Sequence, residues 1–267
     1  MDFMGSLLEI QNLKVKFYLD RHVITAVQGV NLELRAGETL VLAGESGSGK
    51  SVTALAVTRI LPVNARVFSG KVIFKGRDLL SLDESSLSGV RGKEIAYIFQ
   101  EPSGALNPVY TVGNQLIEPF ILHQGKSPGQ ARREAEFLLS LVKIGDVKRV
   151  MESYPHQLSG GMNQRVFIAM SLACNPQILI ADEPTTALDV TIEAEILKLL
   201  VELKKKIGFS LLFITHNLSI ARRIAGRVCV MYKGSVVEEG GIEDIFNSPK
   251  HFHTRDLVSA YEKIGKI

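Results

Sequence analysis

The 267-residue sequence has no tryptophan, only two cysteines, and no apolar run approaching the roughly 18 residues that a membrane-crossing helix needs. Cys174 and Cys229 each sit beside apolar residues, which argues against a disulfide framework and for buried free thiols in a reducing compartment. The first residues, MDFMGSLLEIQ, lack a basic segment, a long apolar core and a small-residue cleavage site, so no secretory leader is expected. Neither charge sign is in excess. The 31 basic and 28 acidic residues leave a net +3, which gives no electrostatic footprint for nucleic acid. What remains is ordinary globular composition, 46% hydrophobic and 22% charged. It predicts a cytosolic chain, membrane-bound only if another chain holds it there, built as one large domain with an inserted lobe or as two small ones.

Leu13, Val15 and Phe17 alternate with Lys14, Lys16 and Tyr18, and Val30, Leu32 and Leu34 alternate with Asn31, Glu33 and Arg35. Period-2 patterning of this kind predicts half-buried antiparallel strands. TLVLA, residues 39–43, is apolar throughout, as in a strand covered on both faces. It runs into GESGSGKS and a helical pattern, SVTALAVTRIL, that stops before Pro62. VFSGKVIFKGRDL predicts two short strands punctuated by Gly70 and Gly76, and residues 95–99 a further apolar strand ending at Gln100. Residues 101–170, turn-rich and then mostly helical over 115–144, read as an inserted helical lobe. A strand at 178–181, a helix at 192–206, a strand at 211–215, another helix and a hairpin, VCVMYKGSVVEEG, complete the pattern. Strands alternating with helices predict a mainly parallel sheet with ligands at the carboxyl ends of its strands.

Gly44-Glu45-Ser46-Gly47-Ser48-Gly49-Lys50-Ser51 fits GxxxxGK[ST] between an apolar strand and a helix, the context that marks a phosphate-binding loop. Its glycines let the backbone wrap phosphates, its N–H groups and helix start attract the anion, and Lys50 adds a point charge. The Ser51 hydroxyl suits Mg²⁺. In QILIADEPTTALD an apolar strand ends in two carboxylates, Asp182 and Glu183. One can hold Mg²⁺ and the other polarise an attacking water, although carboxylates there can also cap the next helix. Gln100 and His216 also follow apolar strands and should emerge at the same sheet edge, though either alone is compatible with a structural role. A second helix start, Leu158-Ser159-Gly160-Gly161, suits another phosphate.

In this order and spacing, the phosphate loop, LSGGMNQR, DEPTTALD and ITH resemble the motifs of the ATP-binding cassette (ABC) ATPases, over about residues 7–249. The resemblance implies an α/β fold of the P-loop NTPase type, with a RecA-like core, an antiparallel β subdomain and an inserted helical subdomain. It divides the chain into 1–100 (β subdomain and first part of the core), 101–170 (helical subdomain), 171–245 (second part of the core) and 246–267 (C-terminal tail). Residues 44–51 with Val52 would form the Walker A cradle for ATP. Asp182 would hold Mg²⁺ together with Ser51 and Gln100, Glu183 would be the catalytic base, and His216 the switch that contacts the γ-phosphate. Leu188-Asp189 resembles the D-loop at the dimer interface. Phe17 aligns with the aromatic that stacks on adenine and Tyr18 is the other choice, while the period-2 pattern reads Phe17 as core.

The same resemblance implies a head-to-tail dimer with a second cassette, identical or paralogous, in which Ser159, Gly160 and Gly161 face the partner's ATP. It implies two transmembrane permease subunits, an extracytoplasmic binding protein acting indirectly, and a place on the cytoplasmic face of a prokaryotic membrane, without nucleic acid. Met162, in place of the usual glutamine, with YPHQLSGGM, FQEPSGALNPVYTVG and SPKHFHT, is similar to the peptide and nickel importer branch. No cysteine follows Cys229, so the iron–sulfur cluster of some peptide members is not expected. Peptide import is the favoured reading and nickel import the alternative. A non-transport cassette of DNA repair or translation fits less well, because no coiled-coil insertion or charged linker is present. His251 and His253 lack companion ligands nearby and are not expected to form a metal site.

Overall fold

The computed structural model describes residues 6–100, 106–186 and 188–264. Residues 101–105 of the turn-rich segment after Gln100 lie outside the described residues. Ten strands form among the described residues: β1 (Ser6–Leu19), β2 (His22–Arg35), β3 (Thr39–Ala43), β4 (Ala65–Phe74), β5 (Arg77–Asp78), β6 (Ile95–Ile98), β7 (Ile178–Asp182), β8 (Ser210–Thr215), β9 (Arg227–Tyr232) and β10 (Ser235–Gly241). The chain divides into two compact units, Met1–Ser88 with Ser210–Ile267, and Gly89–Phe209.

The first unit contains an antiparallel sheet in the order β2-β1-β4-β5. Leu8, Ile10, Leu13 and Val15 of β1 and Val27, Val30, Leu32 and Leu34 of β2 are buried. The phase of β1 changes between Ile10 and Leu13, where its register with β2 shifts and Asn12 takes φ +47°. That bulge keeps Leu13 and Val15 inside after an extra residue. Opposite it, Gly70 takes φ +109°, and a Cβ there would lie 2.6 Å from Leu13 Cα. Gly70 therefore does not separate two strands as the sequence suggested. It carries one continuous β4 past the bulge, where no side chain fits.

The same unit holds strands in the order β10-β9-β3-β8, with β8 and β9 parallel to β3 and β10 antiparallel to β9. Every residue of β8, and all of β3 after Thr39, is buried, which accounts for their unbroken apolar runs. The helix after β3 is Lys50–Val57, shorter than its apolar pattern suggested. Arg59 adopts φ +57°, its N–H bonds to Ala56 O, and the Ile60 N–H bonds to Leu55 O. These two bonds form a Schellman closure, which satisfies the last carbonyls and ends the helix before Pro62 can. Arg227 grips Glu38 through two bonds of 2.8 and 3.0 Å and also meets Glu239. Burial alone would raise the Glu38 carboxyl, but the Arg227 guanidinium and the Arg35 amide hold it below the usual glutamate range. After β10 come the helices Ile242–Asn247 and Phe252–Ile264, so most of residues 246–267 is regular structure, with His253, Thr254 and Val258 buried.

The second unit holds β6 and β7 as parallel neighbours and the helices Val112–Gln124, Pro128–Leu141, Val147–Glu152, Gly160–Leu172 and Val190–Ile207. The helical pattern of 115–144 is two helices. Gly125 closes the first in the left-handed conformation, and a Ser127/Gln130 capping box with Pro128 opens the second.

Candidate functional site

In the first unit, residues 44–51 leave the carboxyl end of β3 and wrap into the helix Lys50–Val57, with Gly49 at its N-cap. Gly44 takes φ +153°, and a Cβ there would lie 2.3 Å from the carbonyl of Met231, so only glycine fits. The Gly234 N–H donates to Ser48 O at 2.9 Å. The turn after β9 thus backs the loop. Lys50 is 4% exposed, and its ammonium donates to the carbonyls of Gly44 and Glu45, both at 2.9 Å. A buried cation must be satisfied in this way until an anion takes over. The Ser48 hydroxyl is buried without a hydrogen-bond partner, a polar atom left in the loop for a ligand to satisfy. Glu45, Ser46 and Gly47 are exposed along the rim, and Ser51 and Val52 are half-buried on the first helical turn.

His216 reaches the same edge of this unit. Thr215 pairs in register with Ala43, so His216 and Gly44 leave neighbouring parallel strands together. The Thr215 hydroxyl accepts from the Asn217 N–H at 2.9 Å, and the Asn217 carbonyl oxygen Oδ1 accepts from Ser219 N–H at 2.9 Å. This capping starts the helix Leu218–Ile224 at once and leaves His216 exposed at the strand end. Phe17 is half-buried on β1 opposite Ile24 and Ala65, while Tyr18 is 45% exposed.

In the second unit, Ile98 pairs with Ala181, so Gln100 and the Asp182-Glu183 pair emerge from adjacent parallel strands. Asp182 is the last residue of β7. Glu183 adopts φ +46°, a conformation that costs a non-glycine residue on the order of 1–2 kcal/mol. Its carboxylate accepts from the Thr186 hydroxyl at 2.9 Å. Strain of this kind at a strand end turns a side chain out of the strand's alternation.

Ser159 caps the helix Gly160–Leu172, its hydroxyl accepting from the Met162 N–H at 3.3 Å, and both Ser159 and Gly160 are exposed. A Cβ on Gly161 would lie 2.9 Å from Ile192, and one on Gly160 3.7 Å from Leu188. The signature stretch and the start of the helix Val190–Ile207, whose N-cap is Asp189, are therefore packed together. Arg165 secures that packing with bonds to Val142 O at 3.0 Å and to Glu195 at 2.8 Å. Reasoning from the sequence missed Arg165 and the Met231–Gly234 backing of the phosphate loop. The signal for the backing was faint, a lone Gly234 in a hairpin turn.

The sequence profile described as ABC transporter matches residues 27–186. The chain is 49% identical over 255 residues to the probable peptide ABC transporter ATP-binding protein y4tR of Sinorhizobium fredii, covering 95% of this chain and 76% of that protein. It is 48% identical over 269 residues to the glutathione import ATP-binding protein GsiA of Escherichia coli O157:H7, covering 98% of this chain but 43% of GsiA. The chain thus spans less than half the length of GsiA. Among solved structures, the dimeric post-hydrolysis state of the ATP-binding cassette MJ0796 with ADP and phosphate aligns with a TM-score of 0.78 and 30% identity, over 88% of this chain and 98% of that one. A strand-capped phosphate loop, a strand ending in paired carboxylates and a serine-capped signature helix, carried by a sequence with these relatives, are those of one family: the chain belongs to the ABC transporter family and is one of its ATP-hydrolysing cassettes.

Proposed function

We propose that the chain is the ATPase subunit of an importer of di- or oligopeptides, acting on the cytoplasmic face of a membrane beneath separate permease subunits. The observation that carries the peptide reading is its 49% identity to y4tR, a protein named for peptide transport. Among the described residues no helix is long and apolar enough to cross a membrane, so separate chains would form the pathway. Residues 1–100, 101–170, 171–245 and 246–267 serve as β subdomain with first core segment, helical subdomain, second core segment and C-terminal tail. On the helical subdomain a groove of about 760 Å³, lined by Tyr110, Gln115, Ile121 and Leu122 among others, is suited to receive the permease.

Residues 44–51 with Val52 hold the phosphates of ATP, and Lys50 exchanges the carbonyls of Gly44 and Glu45 for phosphate oxygens. Phe17 stacks on the adenine. Ser51 offers a hydroxyl at a helix start of the first unit, and Gln100 and Asp182 offer an amide oxygen and a carboxylate at two strand ends of the second, each a hard-oxygen donor of the kind magnesium takes. When bound, the ion supplies neutralisation of the β- and γ-phosphate charge. Glu183 accepts the proton of the attacking water as the bond from the γ-phosphorus to the ADP oxygen breaks, and His216 contacts the γ-phosphate. Exposed Ser159, with Gly160 and Gly161, faces ATP bound to a second cassette, identical or paralogous, and Asp189 lies at that interface.

Glu183→Gln should bind ATP normally, trap a closed dimer and lose at least about a hundredfold in turnover. Turnover near wild type would remove Glu183 from the role of base. Calorimetry of the transporter's extracytoplasmic binding protein with peptides and with Ni²⁺ tests the cargo. Heat from Ni²⁺ alone would replace peptide by nickel.

A further inference from the structure

The segment just before the last helix is fastened to the turn that backs the phosphate loop. Glu238 of β10 accepts from the N–H groups of Lys250 and His251 at 2.8 and 2.9 Å. Burial works to raise this carboxyl, and the nearby Thr254 hydroxyl and the amides of Lys250 and His251 outweigh it, leaving Glu238 below the usual range. His253 is 3% exposed, and its ring centroid lies 4.2 Å from that of Tyr232, tilted by 32°. Phe252 meets Tyr232 edge-on at 5.7 Å. The His253 N–H donates to Nδ1 of His251 at 3.2 Å, which fixes the short stretch between them.

Tyr232 stands between the two residues that touch the loop. Its predecessor Met231 presents the carbonyl against Gly44, and its thioether lies 3.9 Å from the Thr53 hydroxyl. Two residues later the Gly234 N–H bonds to Ser48 O. From the opposite side Gln28 holds the same turn, its N–H donating to Gly234 O at 2.7 Å and its side-chain amide to Lys233 O at 3.1 Å. Residues 231–234 are thus clamped between β2, the phosphate loop and the His253 ring. A phosphate cradle works only if its N–H groups are held within about half an ångström of the right place.

We infer that His253 is a positioning residue of the nucleotide site: through its ring contact with Tyr232 it fixes the 231–234 turn, and through that turn the phosphate loop. The last helix is then a working part of the cassette. Loss of the contact should loosen the turn and weaken ATP binding by up to roughly fivefold.

The test is titration of the purified full chain with a fluorescent ATP analogue, together with KM and kcat in the assembled transporter. His253→Ala should raise the Kd and KM for ATP by roughly fivefold, with kcat at saturating ATP changed by less than about twofold, and His253→Phe should restore both constants. Unchanged ATP affinity in His253→Ala overturns the inference, as does a loss that His253→Phe leaves in place. If His253→Ala fails to fold, Tyr232→Leu probes the contact from its other side. The same loss of affinity supports the inference, and unaltered affinity overturns it.

Discussion

Two helix starts in this chain carry sequences suited to phosphate, and they are finished to different degrees. At Lys50–Val57 the N-cap is a glycine, the lysine is almost wholly buried, and Gly44 and Ser48 rest against the backbone of the β9–β10 turn. At Gly160–Leu172 the cap is the hydroxyl of Ser159, and Ser159 and Gly160 stand exposed. On the proposed function both use the same attraction between an anion and the amide end of a helix. The difference then has a reason on that proposal: one start is completed by its own chain as a place to hold ATP, whereas the other is a surface prepared for ATP held on a second cassette.

The strongest way to break the comparison is to damage each start separately. Lys50→Ala and Ser159→Arg should each lower ATPase activity by at least about a hundredfold, but only Lys50→Ala should abolish nucleotide binding. Mixing the two variants should regain activity, because one of the two composite sites then has an intact half from each chain. A mixture no more active than the separate variants would show that the signature start does not act in trans. A smaller effect sharpens the first half alone. Gly44→Ala forces a Cβ into the Met231 carbonyl and should cost about 1–3 kcal/mol of stability, read as a lower Tm, together with ATP affinity. An unchanged Tm would mean that the loop and turn are not packed as described.

The smallest effect concerns what lies behind the first start. The Glu38–Arg227 pair ties the turn before β3 to the beginning of β9, and both side chains are 14% exposed. Glu38→Gln, which keeps an accepting oxygen, should cost about 1 kcal/mol at pH 7. Because the folded Glu38 carboxyl lies below its ordinary value, its contribution is complete above the unfolded glutamate pKa of about 4.3 and fades as pH falls through the folded value. The Tm difference between wild type and Glu38→Gln should therefore shrink on acidification from pH 7 to pH 3. A difference that persists unchanged would assign it to packing and not to charge.

The finished start was almost fully legible in the sequence. Its glycines, Lys50 and the apolar runs of β3 and β8 follow from local requirements that a short window records. The alternation in β1 and β2 and the positions of Asp182, Gln100 and His216 at strand ends were legible for the same reason. What stayed hidden depends on distant neighbours. Gly70 looked like punctuation because the bulge it accommodates lies in another strand. The helix stop at Arg59 is a backbone closure by a residue with no compositional signature. The left-handed Glu183 gave no compositional signal, and the ring of His253 on Tyr232 is set by packing between separate segments of the chain. For histidines 251 and 253 the local sequence raises only the question of metal ligation, whereas in the fold they act as ring and backbone partners.

The ammonium of Lys50, held by the carbonyls of Gly44 and Glu45, bears on how the cassette lets go. On the proposed role, the cation has somewhere to return to when phosphate departs, so loading and unloading the loop exchanges one set of oxygen partners for another without stranding a buried charge. On that reading the loop rests between nucleotides with its charge already satisfied, ready for the next one.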